Sequence, residues 1–280
     1  MPGTDGKQRI GILCWEGGQV AKGLLQLETL VGNSTNPASY AFPIVRKQVK
    51  GANVHTILEN PDREVLKTMI GDAKAMVAAD GVKAITTSCG FNAVFQRELA
   101  SALDVPVFTS SLLQVPFVQQ IVGEKGEVAI ITAHKAALKP EHLEAVGITK
   151  TEGLHVFGLE NCPEWGKMFT DFDAELDLEK IKGEVVGVAV SLVVDVAVAD
   201  DDAAVVLVGP VVGQPDRGGA PGAHVLARGR AGGHPPPLPR GGVCVHEHQQ
   251  GVRRRAQRNP PAGTGKTLGV RRSRRLGGNR

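Results

Sequence analysis

From Arg9 to about Val190 the chain alternates short apolar runs with longer stretches of helical spacing. "RIGILCW" (Arg9–Trp15) has the length and apolar density of a buried strand. "AKGLLQLETLVG" then sets Leu24, Leu25, Leu27, Leu30 and Val31 at helical spacing and stops at Gly32. "FPIVRKQVKG" reads as a strand. Asn60–Gly81 reads as a helix, with Asn60 as the expected cap, Pro61 at the first helical position and Gly81 as the stop. "VKAITTSC" is the next strand, "FNAVFQRELASALD" a helix, "VPVFTSS" a strand and "LLQVPFVQQIVG" a helix. The cycle restarts at Glu127 with "EVAIIT" (strand), "KPEHLEAVG" (helix), "LHVFGLE" (strand) and "LDLEKIKGEVVGVAVSLVV" (helix). Strands alternating with helices on short connections predict α/β architecture with doubly wound parallel sheets. The restart predicts a second domain of the same type, giving residues 1–123, an incomplete second domain over 124–208, and a tail over 209–280.

Composition separates that tail from the rest. The chain carries a net charge of +3, but Gly209–Arg280 holds thirteen Arg and one Lys against two acids. Its own charge is thus about +12, and the remainder is about −9. No Phe, Trp or Tyr follows Phe172, no Ile follows Ile181, and no Met follows Met168. These residues supply much of a core's apolar area, so the tail is expected to be disordered or out of frame. A shifted reading frame in a GC-rich gene, or a fusion, would produce such text. The four cysteines (Cys14, Cys89, Cys162, Cys244) include no C-x-x-C pair, which favours a reducing, cytoplasmic setting over a disulfide scaffold. The N-terminal apolar run is too short for a signal peptide, and acids interrupt the valine-rich stretch before it reaches membrane-spanning length.

Candidate chemistry concentrates where "ITTSCGFN" carries a strand directly into a helical pattern. Ligand sites in parallel sheets gather at the C-terminal ends of strands, and Cys89 lies at such an end. The N–H groups that follow, near Phe91–Asn92, favour a thiolate, so a thiol more acidic than its usual value of about 8.5 is expected. Thr87, Ser88 and Asn92, with Ser110 in the neighbouring "FTSS", are short donors able to hold a carboxylate without a metal. The competing reading is a buried packing cysteine among hydroxyls that cap helices.

"LVGNSTNPASY", "GANVHTILENPD", "ITTSCGFNAVFQ", "DVPVFTSSLLQVPFV" and "GLENCPEWGKMF" together resemble the aspartate/glutamate racemase family, a cofactor-independent group that includes hydantoin racemases. The resemblance runs from about Arg9 to Val190. It implies two α/β domains facing each other across a cleft, each contributing one cysteine to proton transfer at the α-carbon of an amino acid or hydantoin. Cys89 matches the first cysteine. Thr87, Ser88 and Asn92 fall within the matching motif, and Cys14 ends the first strand close to the expected site. The implied partner is a small carboxylate or amino-acid-like substrate. No cofactor, metal, membrane or specific nucleic acid is expected, and a homo-oligomer is compatible.

The chain departs from that family at the second cysteine. The corresponding place, "AAVVLVGPVVGQP", reads Val208-Gly209-Pro210. A related decarboxylase or cis–trans isomerase using Cys89, or an inactive carboxylate-binding or misframed product, is therefore the alternative to a racemase. Cys162 matches a non-catalytic stretch. Glu16 reads as solvated, and His55 and His134 as structural. In the tail, Cys244 with His246 and His248 lacks a fourth ligand at finger-like spacing. "PAGTGKT" has Pro260 where a P-loop begins with glycine. "HPPPLPR" and the arginine clusters lack the context of a recognition module.

Overall fold

A computed structural model describes residues 9–124, 126–199, 205–208 and 224–226. The first half builds a parallel sheet from β1 (Ile10–Cys14), β2 (Ile44–Gln48), β3 (Ala84–Thr87) and β4 (Val107–Phe108), in the order β2-β1-β3-β4. Ile10 stands opposite Ile44 on one side and Ala84 on the other, and Ile85 stands opposite Val107. Helices α1 (Lys22–Glu28), α2 (Arg63–Ala75), α3 (Gln96–Ala102) and α4 (Val115–Val122) connect and cover these strands.

The second half repeats the plan with β5 (Glu127–Thr132), α5 (Pro140–Ala145), β6 (Leu154–Gly158), α6 (Lys167–Thr170), α7 (Leu178–Ala199), β7 (Val205–Val208) and β8 (His224–Leu226). Its order is β6-β5-β7-β8. β5 pairs in parallel with β6 and β7, whereas β8 adds antiparallel to β7. The fold is α/β with two mainly parallel sheets, as the alternation of elements predicts. Of the expected tail, only 224–226 is described, as β8. Cys244, His246, His248, the proline run and the arginine clusters lie outside the described residues.

Local chemistry explains several boundaries. The helix expected from Asn60 begins two residues beyond Pro61, because Asp62 is the true cap: its carboxylate accepts from the Glu64 N–H at 2.7 Å. α2 then buries Val65, Leu66, Met69 and Ala73 along one face. The chain leaves this segment at Gly81, whose φ of +66° is the left-handed conformation that glycine adopts without penalty. In β1, Gly11 marks a close approach of layers. A Cβ at Gly11 would lie 2.7 Å from Ile85 Cδ1 and 2.8 Å from Met76 Cε, so its absence lets the layers meet. "VPVFTSS" forms only a two-residue strand. Thr109 is drawn into side-chain bonding, and the Ser110 hydroxyl accepts from the Leu112 N–H at 3.2 Å, starting the next turn.

The two halves share their cores. Ala133, Leu138 and Phe169 pack against the cluster containing Leu13, Ile57, Ile85 and Phe95. Leu27 belongs to the cluster built around Trp165, Leu159 and Ile181. Among the described residues, no helix is long and apolar enough to cross a membrane.

Candidate functional site

The C-terminal ends of strands from both sheets open into one cavity of about 640 Å³. Trp15 after β1, Thr87–Gly90 at the end of β3, Thr109–Ser111 after β4, and Thr132–Ala133 at the end of β5 all reach its wall. α1 contributes Leu24, Leu27 and Glu28, and the loop after it Asn33, Ser34, Thr35 and Tyr40. The second half adds Trp165, Met168 and Phe169.

Cys89 sits where the strand breaks. It is the half-buried cap of the 3-10 turn Gly90–Phe95, in extended backbone. Two threonines brace it. Thr87 Oγ1 donates to the Thr109 carbonyl at 2.7 Å and lies 3.0 Å from the Cys89 carbonyl. Gln96 clamps the next strand end. Its Oε1 accepts from the Thr109 N–H (3.0 Å) and hydroxyl (2.7 Å), while its Nε2 donates to the Val107 carbonyl (2.9 Å). The Thr87 and Thr109 hydroxyl protons are thus spent on the frame. The Ser88 and Ser111 hydroxyls have no protein partner among the described residues, and Ser110 keeps its hydroxyl proton while accepting from Leu112. Ser88, Ser110 and Ser111 are therefore the donors available to a ligand on this rim.

The expected residues divide by place. Cys89, Thr87, Ser88 and Ser110 share the cavity wall. Asn92 and Cys14 are not on it. Asn92 is buried, donating Nδ2–H to the Cys89 carbonyl at 3.1 Å, so it shapes the turn from behind. The Cys14 thiol turns back on its own strand, with Sγ 3.7 Å from the Ile12 carbonyl. Cys162 is buried in the second core. Glu16 is not merely solvated, since its carboxylate accepts from the Gly51 N–H at 2.8 Å. His55 pairs with Glu59 at the surface, at 2.7 Å. His134 stacks edge-on against Phe169, with ring centroids 5.2 Å apart.

The expected acidity of Cys89 is reversed. Burial pushes its thiol from 9.0 up to about 12, and the backbone N–H groups of Phe91 and Asn92 oppose that shift without overcoming it. Cys14 rises to about 11, from burial first and then from the Glu28 carboxylate. The turn's N–H groups are where the sequence places them. The apolar surroundings outweigh them, because Cys89 packs against the first core, whose members include Leu13, Phe91 and Phe95.

Behind Phe91 stands a histidine that the sequence did not single out. His142 on α5 meets the Phe91 ring edge-on at 5.7 Å and is fully buried. Its Nδ1 accepts from the Lys139 N–H at 3.2 Å, and burial lowers its pKa, so the ring is neutral. The turn after Cys89 therefore rests on the second half. Sequence reasoning also missed Trp15, Glu28, Tyr40 and Trp165 on the wall. The available signal was the scarcity of aromatics, which makes each one informative.

No protein-family profile matches the chain. Sequence comparison finds a dimethylsulfoniopropionate lyase of Durusdinium sp. clade D, 28% identical over 157 residues, covering 54% of this chain and 52% of that protein. Dimethylsulfoniopropionate lyase 7 of Emiliania huxleyi (strain CCMP1516) is 31% identical over 110 residues, covering 39% of this chain and 32% of that protein. Lyase 3 of the same organism is 30% identical over 110 residues, covering 29% of its length. The chain thus spans about half or less of the curated relatives it matches. An aspartate racemase homologue from Pyrococcus horikoshii OT3 is a structural neighbour at TM-score 0.37 and 17% identity, over 59% of this chain and 70% of that one. The racemase expectation is corrected by these sequence relatives, which are named as lyases; the expected α/β fold is seen in the chain's own two sheets.

Proposed function

We propose that the chain is a lyase that eliminates a neutral leaving group from a small carboxylate, with Cys89 as the proton acceptor. The observation that carries this reading is a single thiol on a cavity wall beside unspent serine hydroxyls at the strand ends. The names of the sequence relatives supply the reaction type.

Inverting a carbon centre needs an acid on one face and a base on the other. Elimination from a sulfonium carboxylate needs only one proton acceptor. The Cys89 thiolate takes a proton from the carbon next to the carboxylate. The C–H electron pair becomes the new C=C bond, the C–S bond breaks toward sulfur, and dialkyl sulfide departs uncharged. The products are an unsaturated carboxylate and a thiol that returns its proton to solvent. Ser88, Ser110 and Ser111 hold the carboxylate, whose charge grows toward an enolate as the proton leaves.

The test is incubation with dimethylsulfoniopropionate, with dimethyl sulfide followed by headspace gas chromatography and acrylate by NMR. Both products should form in equal amounts, and Cys89→Ser should slow release at least about 100-fold. Unchanged release by Cys89→Ala, or none by the parent chain, would overturn the proposal.

A further inference from the structure

The cavity wall is unusual in two respects. The chain has only eleven aromatic residues, eight Phe, two Trp and one Tyr. Six of them line this cavity: Trp15, Tyr40, Phe91, Phe108, Trp165 and Phe169. The wall also carries one charged side chain, Glu28, and no Lys, Arg or His among its described residues. A site built solely for an anion would be expected to show the reverse.

Glu28 is half-buried on this wall. Arg46 Nη1 lies 3.9 Å from its carboxylate, beyond direct hydrogen-bond reach. Burial raises its pKa, while the Arg46 guanidinium and the Thr35 hydroxyl favour the anion. One residue earlier on α1, Leu27 packs in the cluster of Trp165 and Met168, so this turn of the helix borders the aromatic wall. Tyr40, also on the wall, is fixed by donating its hydroxyl proton to the Ser34 carbonyl at 2.7 Å. Trp165 is fixed twice: Nε1–H donates to the Ala133 carbonyl at 3.1 Å, and the backbone N–H to Glu184 at 2.9 Å. These rings are preorganised.

Aromatic faces and one carboxylate attract positive charge. They do not supply the three acceptors that a primary ammonium demands. A cation with its charge spread over alkyl groups has no N–H to satisfy, so an apolar wall suits it. We propose that Glu28, with the rings of Tyr40 and Trp165, forms an onium subsite that selects a sulfonium or quaternary ammonium group joined to the carboxylate held on the serine rim. The inference rests on the lyase reading for taking this cavity as the substrate site, and it assigns the residues that set specificity there.

Binding rather than turnover tests it. Isothermal titration of the full chain would use trimethylammoniopropionate, β-alanine, and the neutral carbon isostere bearing a tert-butyl group in place of the trimethylammonium. The onium compound should bind at least about tenfold more tightly than both others, a difference of roughly 1.4 kcal/mol. Glu28→Gln, nearly isosteric and checked by its melting curve, should shrink that preference to below about threefold. The comparison on the parent chain decides by itself if the variant does not fold. Equal binding of the neutral isostere, preference for β-alanine, or no binding of any of the three overturns the onium subsite. A clear onium preference in a chain that releases no dimethyl sulfide keeps the subsite and removes the lyase reading.

Discussion

A thiol pushed up to about 12 has measurable consequences at one residue. The folded chain binds the Cys89 proton more tightly than the unfolded chain, whose value is near 9.0. The resulting stabilisation is fully present below about pH 9 and is lost as pH rises through the folded value. Urea midpoints should therefore fall between pH 9 and 11 in the parent chain and fall less steeply in Cys89→Ser. Equal slopes would mean that the thiol is not held protonated. The position of Cys89 was legible from its strand–turn setting, and so were the N–H groups facing it. Its protonation was not, because it depends on how folding packs Cys89 against a core drawn from residues as far apart as Leu13 and Val107.

Among the elements, the junction of β4 and α3 depends most on one side chain. Gln96 is buried and satisfies the Thr109 N–H and hydroxyl together with the Val107 carbonyl. Gln96→Ala removes three bonds and strands a buried N–H, so a loss of about 2–4 kcal/mol is expected in denaturant titration. The Thr109–Ser111 rim should loosen with it, seen as faster amide exchange there. A cost below about 0.5 kcal/mol would show that water replaces the clamp. The alternation of apolar runs was enough to place every strand of the first sheet. It gave no sign that "VPVFTSS" would pair over only two residues, since that limit comes from a glutamine on the preceding helix. Nor did it show that β8 would run antiparallel, as pairing direction is set by a partner outside the local pattern.

For the whole molecule, the shared cores decide how it unfolds. Leu27 sits in the second cluster and Phe169 packs on the first, and Arg97 Nη2 donates to the Glu144 carbonyl at 2.6 Å across the halves. The two sheets should therefore melt together. The two tryptophans, one in each half, report on this directly. In Trp15→Phe and in Trp165→Phe, the remaining fluorescence transition should coincide with the far-ultraviolet circular dichroism of the same variant. Separated transitions would show two independent folding units. The restart of the pattern at Glu127 made the repeat visible in the sequence, but the interleaving of the cores was not, because each half reads as able to bury its own apolar face.

The same burial that withholds the Cys89 thiolate bears on how long the protein survives chemically. Peroxides and disulfides attack the thiolate and spare the thiol. A cysteine kept protonated by its apolar wall resists sulfenic-acid formation while the cavity holds no cation. A positive charge about 6 Å from the sulfur would favour the thiolate by roughly 2.8 kcal/mol at an effective dielectric constant near 20, or about two pKa units. The oxidant-reactive thiolate is then about 100-fold more abundant while a cationic ligand is bound than while the cavity holds none, so exposure to oxidants is greatest at the moments when the thiolate is in use.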